Sequence, residues 1–263
     1  LIPVRPTQHY SMGGIRVNKD GQAYNLAGLF AAGEAACWDM HGFNRLGGNS
    51  LAETIVAGRI VGRTVAAHAE GSSLDARTGL AFEATRHAEA EAQAWLDRSG
   101  DGPGVYELRD AMATTMMDKV GIFRTGEELQ EGVDALRTLL HDCDGAVLRS
   151  KAPGMNPELT FALRLKNMLR LALVTTEGAL ARTESRGAHF RSDYPLRNDA
   201  EWLNRTLVRW PVDAPEPNYS YEPVGLIDLP PGHRGYGSDE RIELTVSVDD
   251  YNADVDEKQR EHG

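Results

Sequence analysis

The stretch His41, Gly42, Phe43, Asn44, Arg45, Leu46, Gly47, Gly48, Asn49, Ser50, Leu51, Ala52, Glu53 decides the fold. Gly42 to Asn49 is a loop of glycines and amide side chains. Ser50 followed three places later by Glu53 predicts a capping box, and Leu51, Ala52, Ile55 and Val56 recur at helical spacing. A helix is therefore expected from Ser50 to near Gly71. Strand, glycine-rich loop and capped helix is the order from which α/β proteins build ligand sites, because free amide groups at a helix start attract anions and dipoles. Arg45 is the one cation within the loop. Its planar five-donor fork suits a carboxylate, and Gly47 and Gly48 let a ligand approach the backbone.

Upstream, residues 1–34 are rich in glycine and β-branched residues and read as strands. Gly13 to Val17 and Asp20 to Ala23 suggest a hairpin, since Asp-Gly supplies the positive φ of a tight turn. Gly28 to Glu34 reads as a strand that delivers the Glu34 carboxylate to its carboxyl end, where ligands bind in open α/β sheets. His9 lies beside Tyr10 and close to the paired Gly13 and Gly14. Bland readings stand next to these: a turn histidine at His9, and Glu34 capping the next turn. Cys37, Asp39 and His41 alternate like strand-borne metal ligands, but no fourth ligand accompanies them, so no metal is assigned. Cys37 and Cys143 form no CxxC pair and read as small hydrophobes.

Downstream, residues 74–186 carry a period near 3.6. Leu129, Val133, Leu136 and Leu140 form one stripe; Phe161, Leu165, Met168 and Ala172 form another; Tyr106, Leu108, Met112 and Met116 form a third. Asn156 before Pro157 is an N-cap followed by a favoured first helical residue. A bundle of three or four helices satisfies these faces. Beyond Arg191 the composition turns to Pro, Asp, Tyr and Trp, with strands expected at 206–210 and 242–248 and a solvated acidic tail from Asp249.

The 263 residues are 41% hydrophobic and 25% charged, enough for a core without staples. A formal charge of -11 speaks against nucleic acid as a partner. Every apolar run is interrupted well before the ~18 residues of a spanning helix. Leu1 opens neither a signal peptide nor a Met start, so the chain is expected to be a carboxyl-terminal piece of something longer.

HYSMGGI at His9, GLFAAGE at Gly28 and HGFNRLGGNSLAE at His41 together resemble the flavoprotein subunit of succinate dehydrogenase and fumarate reductase. Arg182 to Pro195 resembles the motif closing that family's helical domain. Pro230 to Gly237 resembles the tail of fumarate reductases that work with a dihaem cytochrome b. The resemblance implies an α+β or α/β chain: the carboxyl-terminal part of an FAD-binding Rossmann-like domain over 1–72, a helical bundle domain over 73–191, and a strand and extension region over 192–263. It implies that His9 and Arg45 hold the carboxylates of a C4 dicarboxylate, fumarate or succinate. Glu34 would meet the ribityl chain of FAD; Ser50, Leu51 and the backbone near Tyr10 would line the isoalloxazine ring; Gly33 and Asn49 would complete the cofactor-binding set. Implied partners are an iron-sulfur subunit and a cytochrome b membrane anchor, which would put the protein at the cell membrane as a peripheral subunit on the cytoplasmic side.

The chain departs from the family pattern in having no GxGxxG, no upstream flavin-tethering histidine and no proton-delivering arginine of the capping domain. Alone it is expected to be inactive. L-aspartate oxidase shares the His-Tyr pair and the Arg-bearing loop, although Leu46, Gly47 and Gly48 look more like the reductase branch. A competing reading is a helical module that docks an iron-sulfur subunit, which leaves the loop at 42–49 without a purpose. Arg186 and Arg191 are expected to be structural, pinning the end of the helical domain to the flavin domain through ion pairs.

Overall fold

The computed structural model describes residues 10–72, 78–152 and 154–225. His9, the Pro230 to Gly237 segment, the strand expected at 242–248 and the acidic tail lie outside the described residues. The chain divides into two compact units, residues 1–180 with 186–193, and residues 181–185 with 194–263.

The first unit opens with a short β1 (Ile15–Arg16) that pairs in parallel with β2 (Ala36–Cys37). The Asp20-Gly21 turn forms as its residues dictate: Val17 bridges Ala23 in antiparallel sense, Asn18 N donates to Gln22 O at 2.9 Å, and Gly21 takes a φ of 79°. The strand expected from Gly28 to Glu34 is not formed. Phe30 makes a single bridge to Gln22, and Gly33–Ala35 close a 3-10 turn before β2. Gly28 at φ 83° and Gly33 at φ 66° turn the backbone out of the extended region at both ends of the segment, so it does not run as a strand although Ala31 is buried.

Helix α1 (Asn49–Glu70) runs to its C-cap at Gly71. The expected capping box is absent: the N-cap is Gly48, at φ 80°, and no side chain caps the first turn. Glu53 is buried instead, with Ala57 and Val61, while Leu51 and Ile55 are 74% and 73% exposed. The buried face therefore carries small side chains against glycine backbone. A Cβ on Gly21 would lie 2.2 Å from Val61 Cγ2, and one on Gly33 would lie 3.3 Å from Thr54 Oγ1. Packing at this distance selects glycine on one side of the contact.

The rest of the unit is helical: α2 (Thr78–Asp97), α3 (Val105–Lys119), α4 (Gly126–Asp142) and α5 (Pro157–Ala181). The stripes lead largely inward: Leu129, Leu136 and Leu165 are fully buried and Val133, Leu108, Met112 and Ala172 nearly so, while Tyr106, at the start of the third stripe, is 38% exposed; Leu169 of α5, outside the expected stripe, is fully buried as well. The N-termini of α3, α4 and α5 are tied. Gly104 N donates to Glu107 at 2.9 Å for α3, Thr125 Oγ1 accepts from Glu128 N for α4, and Asn156 Oδ1 accepts from Leu159 N at 3.1 Å for α5. Cys143 is buried and Cys37 half-buried. A second parallel pair joins β3 (Phe123–Arg124) to β4 (Phe190–Arg191). Arg191 is buried, with its Nη1 on the α5 carbonyls of Ala179 and Leu180 and its other nitrogens on Asp193. A guanidinium on the last carbonyls of a helix satisfies groups that have no partner in the helix itself.

The second unit contains α6 (Asp199–Trp202) and the antiparallel pair β5 (Asn204–Arg209) and β6 (Asn218–Pro223). The strand read at 206–210 is thus part of a hairpin whose second strand, Asn218–Pro223, its polar sequence conceals. Arg182 and Glu184 lie buried together at 2.6 Å, and Arg182 also donates to Trp202 O and Asn204 O. The Glu184 carboxylate accepts from Asn198 N, so both charges are fully solvated by protein. No helix among the described residues is long and apolar enough to cross a membrane.

Candidate functional site around the start of the first long helix

Of the described candidates, Arg45 lies in the loop from His41 to Gly48, Asn49, Ser50 and Leu51 open α1, Gly33 and Glu34 lie in the turn before β2, and Tyr10 precedes β1. Arg45 is half-buried, and its guanidinium lies 4.9 Å from the centroid of the Tyr10 ring. A guanidinium over an aromatic face is attracted by the quadrupole of the ring. The Tyr10 hydroxyl donates to Glu53 Oε2 at 3.3 Å, and His41 Nε2 meets the same oxygen at 2.9 Å. One buried carboxylate thus ties the entry of the loop and the residue beneath Arg45 to α1. Burial first, and then the charge of Glu53, push the Tyr10 phenol above its ordinary pKa. It therefore stays a neutral donor at neutral pH.

On the other flank, Glu34 Oε1 accepts from Ser11 N at 2.6 Å. Gly33, at φ 66°, lies against Thr54 of α1. Tyr10 and Ser11 therefore bridge the two groups: Tyr10 joins the helix through Glu53, and Ser11 joins the turn through Glu34. Asn49 begins α1 and lines a shallow cavity with Trp38, His41 and Glu53. Ser50 is half-buried and Leu51 exposed. Arg45, Glu34 and Leu51 do not line that cavity.

Sequence reasoning missed His41 and Glu53 as partners. The spacing of Ser50 and Glu53 reads as a capping box, whereas the spacing of Glu53 with Ala57 and Val61, about one residue per turn, is the signal that marks it as inward. The alternating Cys37, Asp39 and His41 diverge: Asp39 pairs with Arg16 at 3.3 Å and His41 with Glu53. Among the described residues no group of three or more His, Cys, Asp or Glu side chains gathers as a metal site does.

The start of α1 suits an electron-rich ligand edge. No side chain caps the first turn, Gly47 and Gly48 have open space where a Cβ would stand, and the dipole end is positive. These features leave the helix start open to a polar ligand edge.

The comparisons with known proteins converge. Residues 109–236 match the family described as fumarate reductase flavoprotein C-term, and residues 1–51 match the FAD binding domain family. The fumarate reductase flavoprotein subunit of Helicobacter pylori (strain ATCC 700392 / 26695) is 46% identical over 239 residues, 90% of this chain and 33% of that protein. The succinate dehydrogenase flavoprotein subunit of Bacillus subtilis (strain 168) is 37% identical over 241 residues, 89% of this chain and 40% of that protein. In structure, the chain is similar to the quinol fumarate reductase FrdA of E. coli, with a TM-score of 0.80 and 34% identity over 91% of this chain and 40% of that one. The chain spans about a third to two fifths of the length of these relatives.

Proposed function

Since the chain belongs to the family of fumarate reductase and succinate dehydrogenase flavoprotein subunits, we propose that it forms part of an FAD-dependent oxidoreductase that interconverts fumarate and succinate. The observation that carries this reading is the Arg45 guanidinium, held over the Tyr10 ring beside the uncapped start of α1. Arg45 receives one carboxylate of the C4 dicarboxylate, and His9 the other. Two clamps fix the carbon backbone of the substrate, and fixing it against a ring is worth more than binding strength alone, because it removes orientational freedom before the reaction. The cationic fork also stabilises charge that develops next to the carboxylate during reduction. FAD, when bound, supplies hydride exchange at its N5 position.

Tyr10, Gly33, Glu34, Asn49, Ser50 and Leu51 hold the cofactor in this reading: Glu34 toward the ribityl chain, Ser50, Leu51 and the backbone near Tyr10 along the ring, and Gly33 and Asn49 completing the set. Electrons pass to or from an iron-sulfur subunit and, through a cytochrome b anchor, a quinone. The assembly is peripheral to the cell membrane on its cytoplasmic side. The 263 residues contain no GxGxxG turn for the FAD pyrophosphate, so the chain assayed alone is inactive in this reading.

The test is Arg45→Lys in the whole flavoprotein, with fumarate and a reduced dye as electron donor. Lysine keeps the charge and loses the fork, so kcat/KM is expected to fall about a hundredfold or more with flavin content retained. Turnover within about threefold of the parent would remove Arg45 from the site.

A further inference from the structure

The loop that carries Arg45 does not rest on α1 alone. Ala188 N donates to Phe43 O at 3.3 Å, two residues before Arg45. Gly187 takes a φ of 59°, and a Cβ placed on it would lie 2.8 Å from Phe43 Cβ and 3.1 Å from the Phe43 carbonyl carbon. The Phe43 ring faces the buried His189 ring at 6.1 Å between centroids.

Behind this contact stands a rigid support. Arg186 N donates to His189 O and His189 N to Arg186 O, so residues 186–189 form a closed turn. Arg124 Nη1 reaches His189 Nδ1 at 2.9 Å, while its Nε donates to the carbonyls of Val120 and Gly121. An arginine can only donate, so Nδ1 accepts, and the ring carries its proton on Nε2. The β3–β4 pair sets the two sides of this support in register, Arg124 opposite Arg191.

We propose that the turn Gly187–Ala188–His189 is a positioning element for the dicarboxylate loop, fixing the Phe43 backbone and through it the Arg45 guanidinium. The proposal rests on the assignment of Arg45 to substrate binding. It gives part of the 182–195 segment a role in substrate affinity, beyond holding the helices. Glycine is required at 187 for two separable reasons, the left-handed φ and the approach of the loop. Asparagine tolerates that φ but brings a Cβ; alanine brings the Cβ and the strain together.

The experiment compares Gly187→Ala, Gly187→Asn, His189→Ala and Arg45→Lys in the whole flavoprotein, reading flavin content, kcat and the KM for fumarate. Displacing the loop by a few tenths of an ångström to an ångström is expected to raise KM about tenfold in both Gly187 variants, with flavin content unchanged. A KM within about twofold of the parent in both variants, alongside a large loss in Arg45→Lys, overturns the positioning role and leaves the site reading standing. An unchanged Arg45→Lys overturns the site reading and this inference with it. If the Gly187 variants fail to retain flavin, His189→Ala decides: it deletes the ring that faces Phe43, and a raised KM supports the proposal where an unchanged KM overturns it.

Discussion

Helix α1 and the pair α4 and α5 place their apolar side chains in opposite ways. In α4 and α5 the leucines at 129, 136, 165 and 169 are fully buried. In α1 the long apolar side chains, Leu51, Ile55 and Val56, are exposed, and the buried face is Glu53, Ala57 and Val61. The bundle is held by the burial of large apolar groups. The start of α1 is held by close backbone approach and a shared carboxylate. Burial of that first kind tolerates no missing volume; the second kind depends on the identity of a few atoms, which is what a ligand site requires.

Three substitutions sharpen or break this contrast. Leu165→Ala opens a cavity at the centre of α5 and is expected to lower the unfolding free energy by about 3 kcal/mol, measured by denaturant titration. A loss below about 1 kcal/mol would show that the bundle can collapse onto the gap. Asp193→Asn has a smaller effect that depends on pH. The hydrogen bonds from Arg191, and then the amide of Gly126, hold the Asp193 carboxyl well below its usual pKa. A lowered folded pKa stabilises the protein above the unfolded value, near ~3.9, and this contribution is lost as pH falls through the folded value. The side chain is about a third exposed, so the contribution at neutral pH is up to about 1 kcal/mol after screening. Thermal melts of the parent and Asp193→Asn should differ at pH 7 and converge toward pH 2; a constant gap would refute the linkage. Ile55→Ala, on the exposed face of α1, should change the stability of this chain by less than about 0.5 kcal/mol.

The same contrast explains what could be read from the sequence. The stripes of α4 and α5 were legible because leucine burial repeats with the helix period, and the Asn156 cap because its partner is three residues away. The Asp20-Gly21 turn was legible for the same local reason. Ser50 and Glu53 have the spacing of a capping box, yet Glu53 turns to Tyr10 and His41, partners 43 and 12 residues away that no local pattern reveals. The pairs β1–β2 and β3–β4 are two residues long on each strand and leave no periodicity to detect. Arg45 and Glu34 stood out by residue type. The support of Phe43 by Gly187 did not, since it joins positions 144 apart in the chain and shows only as a glycine at positive φ.

The α5 carbonyls at 179 and 180 are closed by Arg191, which follows them in the chain. The last turn of a 25-residue helix thus takes its closing donor from a residue ten positions beyond its own end. A chain ending between Ala181 and Arg191 would hold every residue of the helix and lack the donor that completes its last turn.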